Sequence, residues 1–190
     1  PPGARRKEGH PLMSEESPRS CLKPRLVFAT GNAHKISELE AILAPAWQGY
    51  APGTIARMSD FNAPAPLEDG ATFEENSLIK ARALVEFTGL PALADDSGIC
   101  VDIMGGAPGI FSARWCGAHG DDAANLDLLL AQLADVPAAH RGAAFVSAAA
   151  LVLPDGRDFV ERGEVRGTLI RERFRLRSNL RSRGLFAHER

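Results

Sequence analysis

The 190 residues of this chain, 45% of them apolar and 24% charged, suit one globular domain or two lobes that share a core. The formal net charge of −2 gives no overall basic field for nucleic acid or a membrane surface, and no apolar run approaches the ~20 residues of a membrane span. The three cysteines, Cys21, Cys100 and Cys116, have no CxxC spacing, which favours a reducing cytoplasm over a disulfide framework or a zinc site.

The amino-terminal part of the chain is predicted to contain an extension, one strand and one helix. Residues 1–22 lack the apolar core of a signal peptide, and we expect a disordered or vestigial extension there. Leu26–Ala29 is apolar and precedes a Gly-Asn turn, which predicts a short buried strand. The apolar residues that follow recur at helical spacing until Pro45, where the helix is expected to stop.

The next part of the chain is predicted to form a loop and then a capped helix. Residues 46–70 are rich in Pro and Gly, which indicates a loop with room for one strand. Thr72 resembles a helix N-cap, and Glu75 three residues later completes the capping-box pattern. The helix that they open is predicted to cover residues 73–88, because a Gly-Leu-Pro sequence follows.

The remaining pattern alternates strands with a loop and a helix. An apolar strand is predicted up to Ala94, followed by a turn that holds two aspartates and then by a second short strand. After a Gly-rich loop, Asp121 or Asp122 is the expected cap of an amphipathic helix, and a Pro-Asp-Gly turn at 154–156 joins a final pair of strands. Such alternation predicts an α/β fold in which helices cover a sheet.

The first candidate site is the turn at Thr30, Gly31 and Asn32, which opens the first helix. Backbone N–H groups and the positive end of a helix dipole can hold an anion at such a turn. Lys35, one helical turn later, can reach the same phosphates as a point charge. The GxxxxGK spacing of a P-loop is absent, which argues against a P-loop kinase or GTPase. The structural alternative is an ordinary turn beside a solvated lysine.

The second candidate site is the sequence Asp95-Asp96-Ser97, which follows an apolar strand. Two adjacent carboxylates near a core are costly to bury unless something pairs with them. Mg²⁺ is a natural partner, because it is held by one or two carboxylates together with substrate phosphates. One carboxylate could also activate a water. The structural alternative is a surface turn in which either aspartate caps the backbone locally.

Three blocks of sequence, taken together, resemble the signature of a known enzyme family. They are ATGNAHKISELEAIL, EDGATFEENSLIKARAL and LPALADDSGICVDIMGGAPGIFSARWCG, in this order along the chain. From about Arg25 to Val165 the chain is similar to the Ham1-type pyrophosphatases of non-standard purine nucleoside triphosphates. One block alone would be a weak signal, whereas several in the right order with intact spacing are specific.

The resemblance implies an elongated mixed β-sheet flanked by helices, with two lobes and the active site in the cleft between them. It implies hydrolysis of inosine, deoxyinosine and xanthosine triphosphates (ITP, dITP and XTP) to the monophosphate and pyrophosphate, with Mg²⁺ as the cofactor. It also implies a homodimer. The expected partner is the nucleoside triphosphate, in the cytoplasm, and neither nucleic acid nor a membrane is expected.

Carried over residue by residue, the resemblance implies that the triphosphate is held by Thr30, Gly31, Asn32, Lys35 and Lys80. It makes Asp96 the catalytic carboxylate and a Mg²⁺ ligand, and it places Ser97 against the substrate.

Glu68 is the second metal ligand that the resemblance implies. Family members often carry a glutamate one place earlier, where this chain has Leu67. Glu75 and Glu38 match further acidic positions of the family, and for both a structural ion pair is an equal alternative to a role in the chemistry.

The last twenty residues, RERFRLRSNLRSRGLFAHER, depart from the family pattern. The family continues there with a Gly-Phe-Gly-Tyr-Asp-Pro loop that reads the base, whereas this run resembles a basic arm for nucleic acid. Plausible codons for 174–184, read one nucleotide later, spell Phe-Gly-Tyr-Asp-Pro-Thr-Phe-Val-Pro-Glu. We therefore expect a pyrophosphatase domain over 23–170, incomplete at its carboxyl end, and a truncated, out-of-frame tail over 171–190.

Restoring the reading frame near Arg171 tests this hypothesis. We expect the coding DNA around codons 165–175 to hold a frame that continues into the family loop, and the restored protein to prefer ITP and XTP over ATP. A site built to hydrogen-bond a keto edge leaves polar groups unpaired against an amino group. Hydrolysis of these triphosphates by both chains is the measurement. If the coding DNA contains no such frame, the arginine-rich tail is a true part of the protein. The interpretation of the tail as a basic arm for nucleic acid would then apply.

Two functions outside catalysis stay open at this point. A non-catalytic remnant would still bind the phosphates of a nucleotide but would not hydrolyse it. Measurable turnover of dITP would distinguish an impaired enzyme from such a remnant. A basic-tailed nucleic-acid binder would lose binding as the salt concentration rises.

Overall fold

The structure is a computed structural model that describes residues 24–30, 33–171 and 186–187. Within these ranges six strands form one mixed sheet in the order β2-β1-β3-β4-β5-β6. The strands are β1 Leu26–Phe28, β2 Ile55–Arg57, β3 Ala92–Val101, β4 Gly142–Val152, β5 Asp158–Leu169 and β6 Phe186–Ala187. The α-helices are α1 Ala33–Leu43, α2 Phe73–Thr88 and α3 Asp122–Gln132. The predicted α/β fold, a mixed sheet flanked by helices, is therefore confirmed.

Helix α2 begins and ends where the sequence predicts. Thr72 Oγ1 accepts a hydrogen bond from the Glu75 N–H at 3.1 Å, and Glu75 Oε2 accepts one from the Ala71 N–H at 2.6 Å. At the other end Gly89 adopts a φ of 68°, in the left-handed region that favours glycine. The Thr72 cap is confirmed, whereas the reciprocal bond of a capping box is not formed, because Glu75 accepts from the Ala71 N–H and not from that of Thr72.

Helix α3 and the last two long strands also follow the sequence pattern. Asp121 is the cap of α3, because its side chain accepts a hydrogen bond from the Ala124 N–H at 2.9 Å. The Pro-Asp-Gly turn at 154–156 joins β4 to β5, which pair as antiparallel strands along the whole of β4. Of the two candidate caps, Asp122 is instead the first residue of the helix.

Strand β3 differs from the sequence prediction. The predicted turn after Ala94 is absent, and β3 runs without interruption through Asp95 and Asp96 to Val101. The reason is that β4 pairs with all ten residues of β3 and supplies regular backbone hydrogen bonds across the aspartates. Both carboxylates therefore lie in the middle of a strand, and the prediction that the strand ends before them is wrong.

Successive residues of β3 point to opposite faces of the sheet, and different helices cover those faces. On one face α2 packs through Ala81 against Ala94. On the other face the apolar side of α1 packs in the cluster that contains Leu93. By alternation, Asp96 lies on the α2 face and Asp95 lies on the α1 face.

Strand β1 ends earlier than its neighbour β3. The last β1–β3 pair joins Phe28 to Leu93, and the Ala29 N–H then donates to the Leu93 carbonyl at 2.8 Å. Among the described strands, only β4 continues alongside β3 past this point. The aspartates therefore have one open strand edge, next to the turn that leads into α1. Ligands of α/β sheets bind at such strand ends.

Arg141 joins α3 to the end of β5. Its guanidinium is almost fully buried and donates to the carbonyl oxygens of Leu133, Leu169 at 2.9 Å and Ile170 at 3.2 Å. Burial lowers the pKa of this guanidinium, and the nearby charge of Arg171 lowers it further. Nothing in the sequence pattern indicated this contact.

Several predictions fall on residues outside the described ranges. They are the extension at 1–22, the glycine and asparagine at 31–32 and most of the arginine-rich tail. In the part of the tail that is described, β6 pairs with Thr168 and Leu169 of β5. The frame shift and the domain limits stay predictions. In the described part of the chain no helix is long and apolar enough to cross a membrane.

Candidate functional site

A cavity of about 230 Å³ lies where β1 ends and β3 continues. Its polar lining comes from Thr30, Lys35, Glu68, Lys80 and Asp95, which belong to separate segments of the chain. Both candidate sites of the sequence analysis contribute to this lining. The fold thus brings the turn before α1 and the aspartates of β3 to one place.

The first ion pair at the cavity joins α1 to β3. Lys35 Nζ lies 2.6 Å from Asp95 Oδ2. The lysine side chain is 42% exposed and the aspartate 19%, so the ammonium group is held against the sheet but remains open to solvent. A phosphate that entered the cavity could therefore meet Lys35 directly.

A second charge cluster has Lys80 of α2 at its centre. Lys80 Nζ lies 3.1 Å from Asp96 Oδ1 and 3.4 Å from Glu68 Oε2. The side chains of Lys80 and Asp96 are only 15% exposed, and that of Glu68 is 33% exposed. The two carboxylates therefore converge on one ammonium group beside the cavity.

Asn76 is a member of this cluster that sequence reasoning missed. It is fully buried, and its Nδ2 donates to Asp96 Oδ2 at 3.2 Å. The spacing could have indicated it, because Asn76 and Lys80 are four residues apart and so share one face of α2. Both oxygens of the Asp96 carboxylate thus accept a hydrogen bond from that face.

The structure shows which of the two neighbouring positions, 67 or 68, faces the charge cluster. The Leu67 side chain is 79% exposed, whereas Glu68 lines the cavity and contacts Lys80. A glutamate at 67 is therefore not needed to bring a carboxylate to this place. The geometry supports Glu68 as the acidic partner of Asp96.

The other residues that the sequence singled out are placed as follows. Thr30 is buried, and its N–H donates to the Phe28 carbonyl at 2.8 Å. Ser97 pairs with Ser147 of β4, on the same sheet face as Asp95. Glu38 lies exposed on α1, and Glu75 serves the α2 cap. Of these, Thr30 alone lines the cavity.

The donor set fits a magnesium ion held largely by substrate. Among the described residues no group of three or more His, Cys, Asp or Glu side chains is placed to hold a metal. Mg²⁺ commonly takes only one or two carboxylates together with phosphates and waters, and Asp96 and Glu68, which both contact Lys80, are two carboxylates of this kind. The two charge clusters together contain two lysines and three carboxylates. A bound triphosphate would therefore face a net negative charge unless a cation accompanied it.

The described cysteines are free thiols. Cys100 and Cys116 form no disulfide with each other. Burial raises the pKa of the Cys100 thiol.

Comparison with known proteins gives consistent matches. The sequence profile of the Ham1 family matches residues 26–178. A dITP/XTP pyrophosphatase of Streptomyces avermitilis is 61% identical over 145 residues, which are 76% of this chain and 72% of the relative. One of Corynebacterium efficiens is 56% identical over 149 residues, covering 78% of this chain and 71% of the relative.

Solved structures agree with these matches. The crystal structure of a nucleoside-triphosphatase, dITP/XTP pyrophosphatase, from Mycobacterium abscessus superposes with a TM-score of 0.72 at 43% identity. That alignment covers 85% of this chain and 82% of the other. A HAM1 protein from Coxiella burnetii has a TM-score of 0.74 at 31% identity, covering 86% and 81% of the two chains.

Proposed function

Because the chain belongs to the Ham1 family, we propose that it hydrolyses ITP, dITP and XTP to the nucleoside monophosphate and pyrophosphate. Relatives that are more than half identical to it bear the name dITP/XTP pyrophosphatase. The observation that carries the proposal is the convergence of Lys35, Lys80, Asp95 and Glu68 on one cavity, with Asp96 bonded to Lys80 beside it. Two lysines and a carboxylate pair are suited to a triphosphate accompanied by a divalent cation.

The two lysines are assigned to the phosphates. Lys35 is half exposed on the cavity wall, and Asp95 holds its ammonium group in place. Lys80 stands deeper, between Glu68 and Asp96. The turn at 30–32 precedes α1, so its backbone N–H groups are proposed to meet the phosphates at the positive end of the helix.

Asp96 is assigned to the attacking water. Its two oxygens are oriented by Lys80 and Asn76, which leaves their remaining lone pairs to accept a proton from a water. The water oxygen forms a bond to the α-phosphorus, and the bond from that phosphorus to the bridging oxygen breaks. Pyrophosphate leaves, and the proton of the water passes to Asp96.

A bound Mg²⁺ would neutralise phosphate charge and stabilise the leaving pyrophosphate. Asp96 and Glu68 are the residues that would hold it. The two residues are distant in sequence, and Lys80 contacts both of their carboxylates. Addition of a chelator is therefore expected to stop hydrolysis, and excess Mg²⁺ to restore it.

The direct test is release of pyrophosphate and monophosphate from dITP, XTP and ATP by the purified chain. Turnover of dITP and XTP in Mg²⁺ supports the proposal. Tight binding of dITP without turnover would instead make this chain a nucleotide-binding remnant. The proposal also includes a homodimer and a cytoplasmic location, and light scattering of the purified chain measures the first of these.

Replacement of Lys35 by alanine is expected to weaken triphosphate binding by about tenfold or more, the usual effect of losing a charge-assisted contact. Asp95 would also be left unpaired beside the phosphates. Binding of inosine, which has no phosphate, should hardly change. Isothermal titration with inosine and with a non-hydrolysable ITP analogue measures both.

Arg157→Ala is the matched control for Lys35→Ala. It removes one positive charge from the exposed turn between β4 and β5, and that side chain is 67% exposed. Equal weakening in both variants would mean that only the overall charge matters. Equal loss of inosine and ITP analogue binding in Lys35→Ala would mean that this lysine acts through the fold.

A further inference from the structure

The side chain of Asn76 is fully buried and bonded at both ends. Its Oδ1 accepts a hydrogen bond from the Gly70 N–H at 2.9 Å, and its Nδ2 donates to Asp96 Oδ2 at 3.2 Å. The two contacts determine the orientation of the amide. A flipped amide would set two donors against each other at Gly70 and two acceptors against each other at Asp96.

These bonds link two parts of the site that are distant in sequence. Gly70 lies two residues after Glu68, so Asn76 connects the segment that carries Glu68 to Asp96 on β3. That segment packs closely on the start of α2. A Cβ at position 70 would lie 2.7 Å from Asn76 Oδ1 and 2.8 Å from Glu75 Cβ.

Asn76 and Lys80, the two hydrogen-bond donors to Asp96, differ in how firmly their side chains are held. Lys80 has a long side chain that also contacts Glu68, and its ammonium group is available to phosphate. Asn76 has a short side chain with no solvent exposure and a second bond that holds it. It is therefore the partner of Asp96 whose own position is held by a second bond.

We infer that Asn76 is a positioning residue that fixes the Asp96 carboxylate relative to the Glu68 segment. The inference rests on the proposed hydrolysis. Neither Asn76 nor Asp96 lines the cavity, and the contact of Asn76 with the charge cluster is its bond to Asp96, which in turn contacts the cavity residue Lys80. A displacement of about 1 Å in a reacting group can cost roughly 100-fold in rate, which is why a fixed orientation matters here.

The two bonds of Asn76 can be separated by substitution. Asn76→Asp keeps an oxygen that accepts from the Gly70 N–H, but it loses the donor to Asp96 and sets two carboxylates side by side. Asn76→Ala removes both bonds. Ser77→Ala is the matched control, because Ser77 is equally buried in the same turn of α2 and its hydroxyl donates to the Glu74 carbonyl at 2.9 Å, away from Asp96.

Steady-state hydrolysis of dITP by these variants is the experiment. We expect kcat to fall by about 10- to 100-fold in Asn76→Asp and Asn76→Ala while KM changes by less than about threefold. Ser77→Ala should keep the kcat of the unmodified chain. The double variant Asn76→Asp/Asp96→Asn reverses the direction of the hydrogen bond, so its thermal unfolding midpoint should recover relative to Asn76→Asp although its turnover stays lost.

Three outcomes would overturn the inference. The first is a kcat in Asn76→Asp and Asn76→Ala within about twofold of the unmodified chain. The second is an equal loss in Ser77→Ala, which would mean that any disturbance of this buried turn has the same effect. The third is an unmodified chain that does not hydrolyse dITP, XTP or ITP, which refutes the proposed function and this inference together.

Discussion

Asp96→Asn is expected to reduce dITP hydrolysis by about 10²- to 10⁴-fold, the usual contribution of a residue that accepts a proton in the reaction. The amide cannot take the proton of the attacking water at this point. It also places an NH₂ group against one of the two donors that now surround the carboxylate, Lys80 and Asn76. Pyrophosphate release at saturating dITP and Mg²⁺ measures the loss.

The fold of Asp96→Asn should persist, because the substitution preserves the shape of a side chain in the middle of a fully paired strand. Asp155→Asn is the control, since it makes the same chemical change on an exposed turn far along the chain. Circular dichroism compares the folding of both variants. Turnover by Asp96→Asn close to that of the unmodified chain would remove this carboxylate from the mechanism.

Gly98→Ala is expected to destabilise the fold by about 1–3 kcal/mol, the usual cost of overpacking a close contact. The 3-10 helical turn Gly109–Arg114 packs directly on this position of β3. A Cβ at 98 would run into the Gly109 carbonyl oxygen and lie 2.5 Å from Ser112 Oγ. It would also disturb the hydrogen bond from the Ile99 N–H to Ser112 Oγ, which is 2.9 Å long.

The contrast with Gly163→Ala makes this prediction specific. Gly163 lies in β5, and a Cβ added there would meet no atom within 4 Å. Alanine at 163 should therefore change the free energy of unfolding by less than about 0.5 kcal/mol. Urea unfolding of both variants gives the comparison. Equal stability in the two would mean that the turn at 109–114 can move away from β3 at little cost.

Much of the local structure was predictable because its signals lie within a few residues of one another. The N-cap Thr72 and the glutamate three residues later predict the start of α2, and the Gly-Leu-Pro sequence predicts its end. The hairpin of β4 and β5 follows from alternating strands around a Pro-Asp-Gly turn. In each case the hydrogen bonds that form the element are local.

The candidate site was predictable in its residue types but not in its arrangement. Lys35, Lys80, Asp96 and Glu68 were singled out from sequence, and the structure brings all four to one region beside the cavity. The pairing of Lys35 with Asp95 was not predicted. Nothing local in the sequence indicates a partner for an exposed lysine sixty residues away.

The sequence by itself determined the family resemblance, the helix limits and the chemical groups available to a triphosphate. The tertiary structure alone decided that Asp95 and Asp96 lie within a strand and face opposite helices. The reason is that β4, distant along the chain, pairs with β3 through the aspartates, so strand continuity depends on a partner that no local pattern reveals. The opening beside Asp95 likewise depends on where β1 ends next to β3.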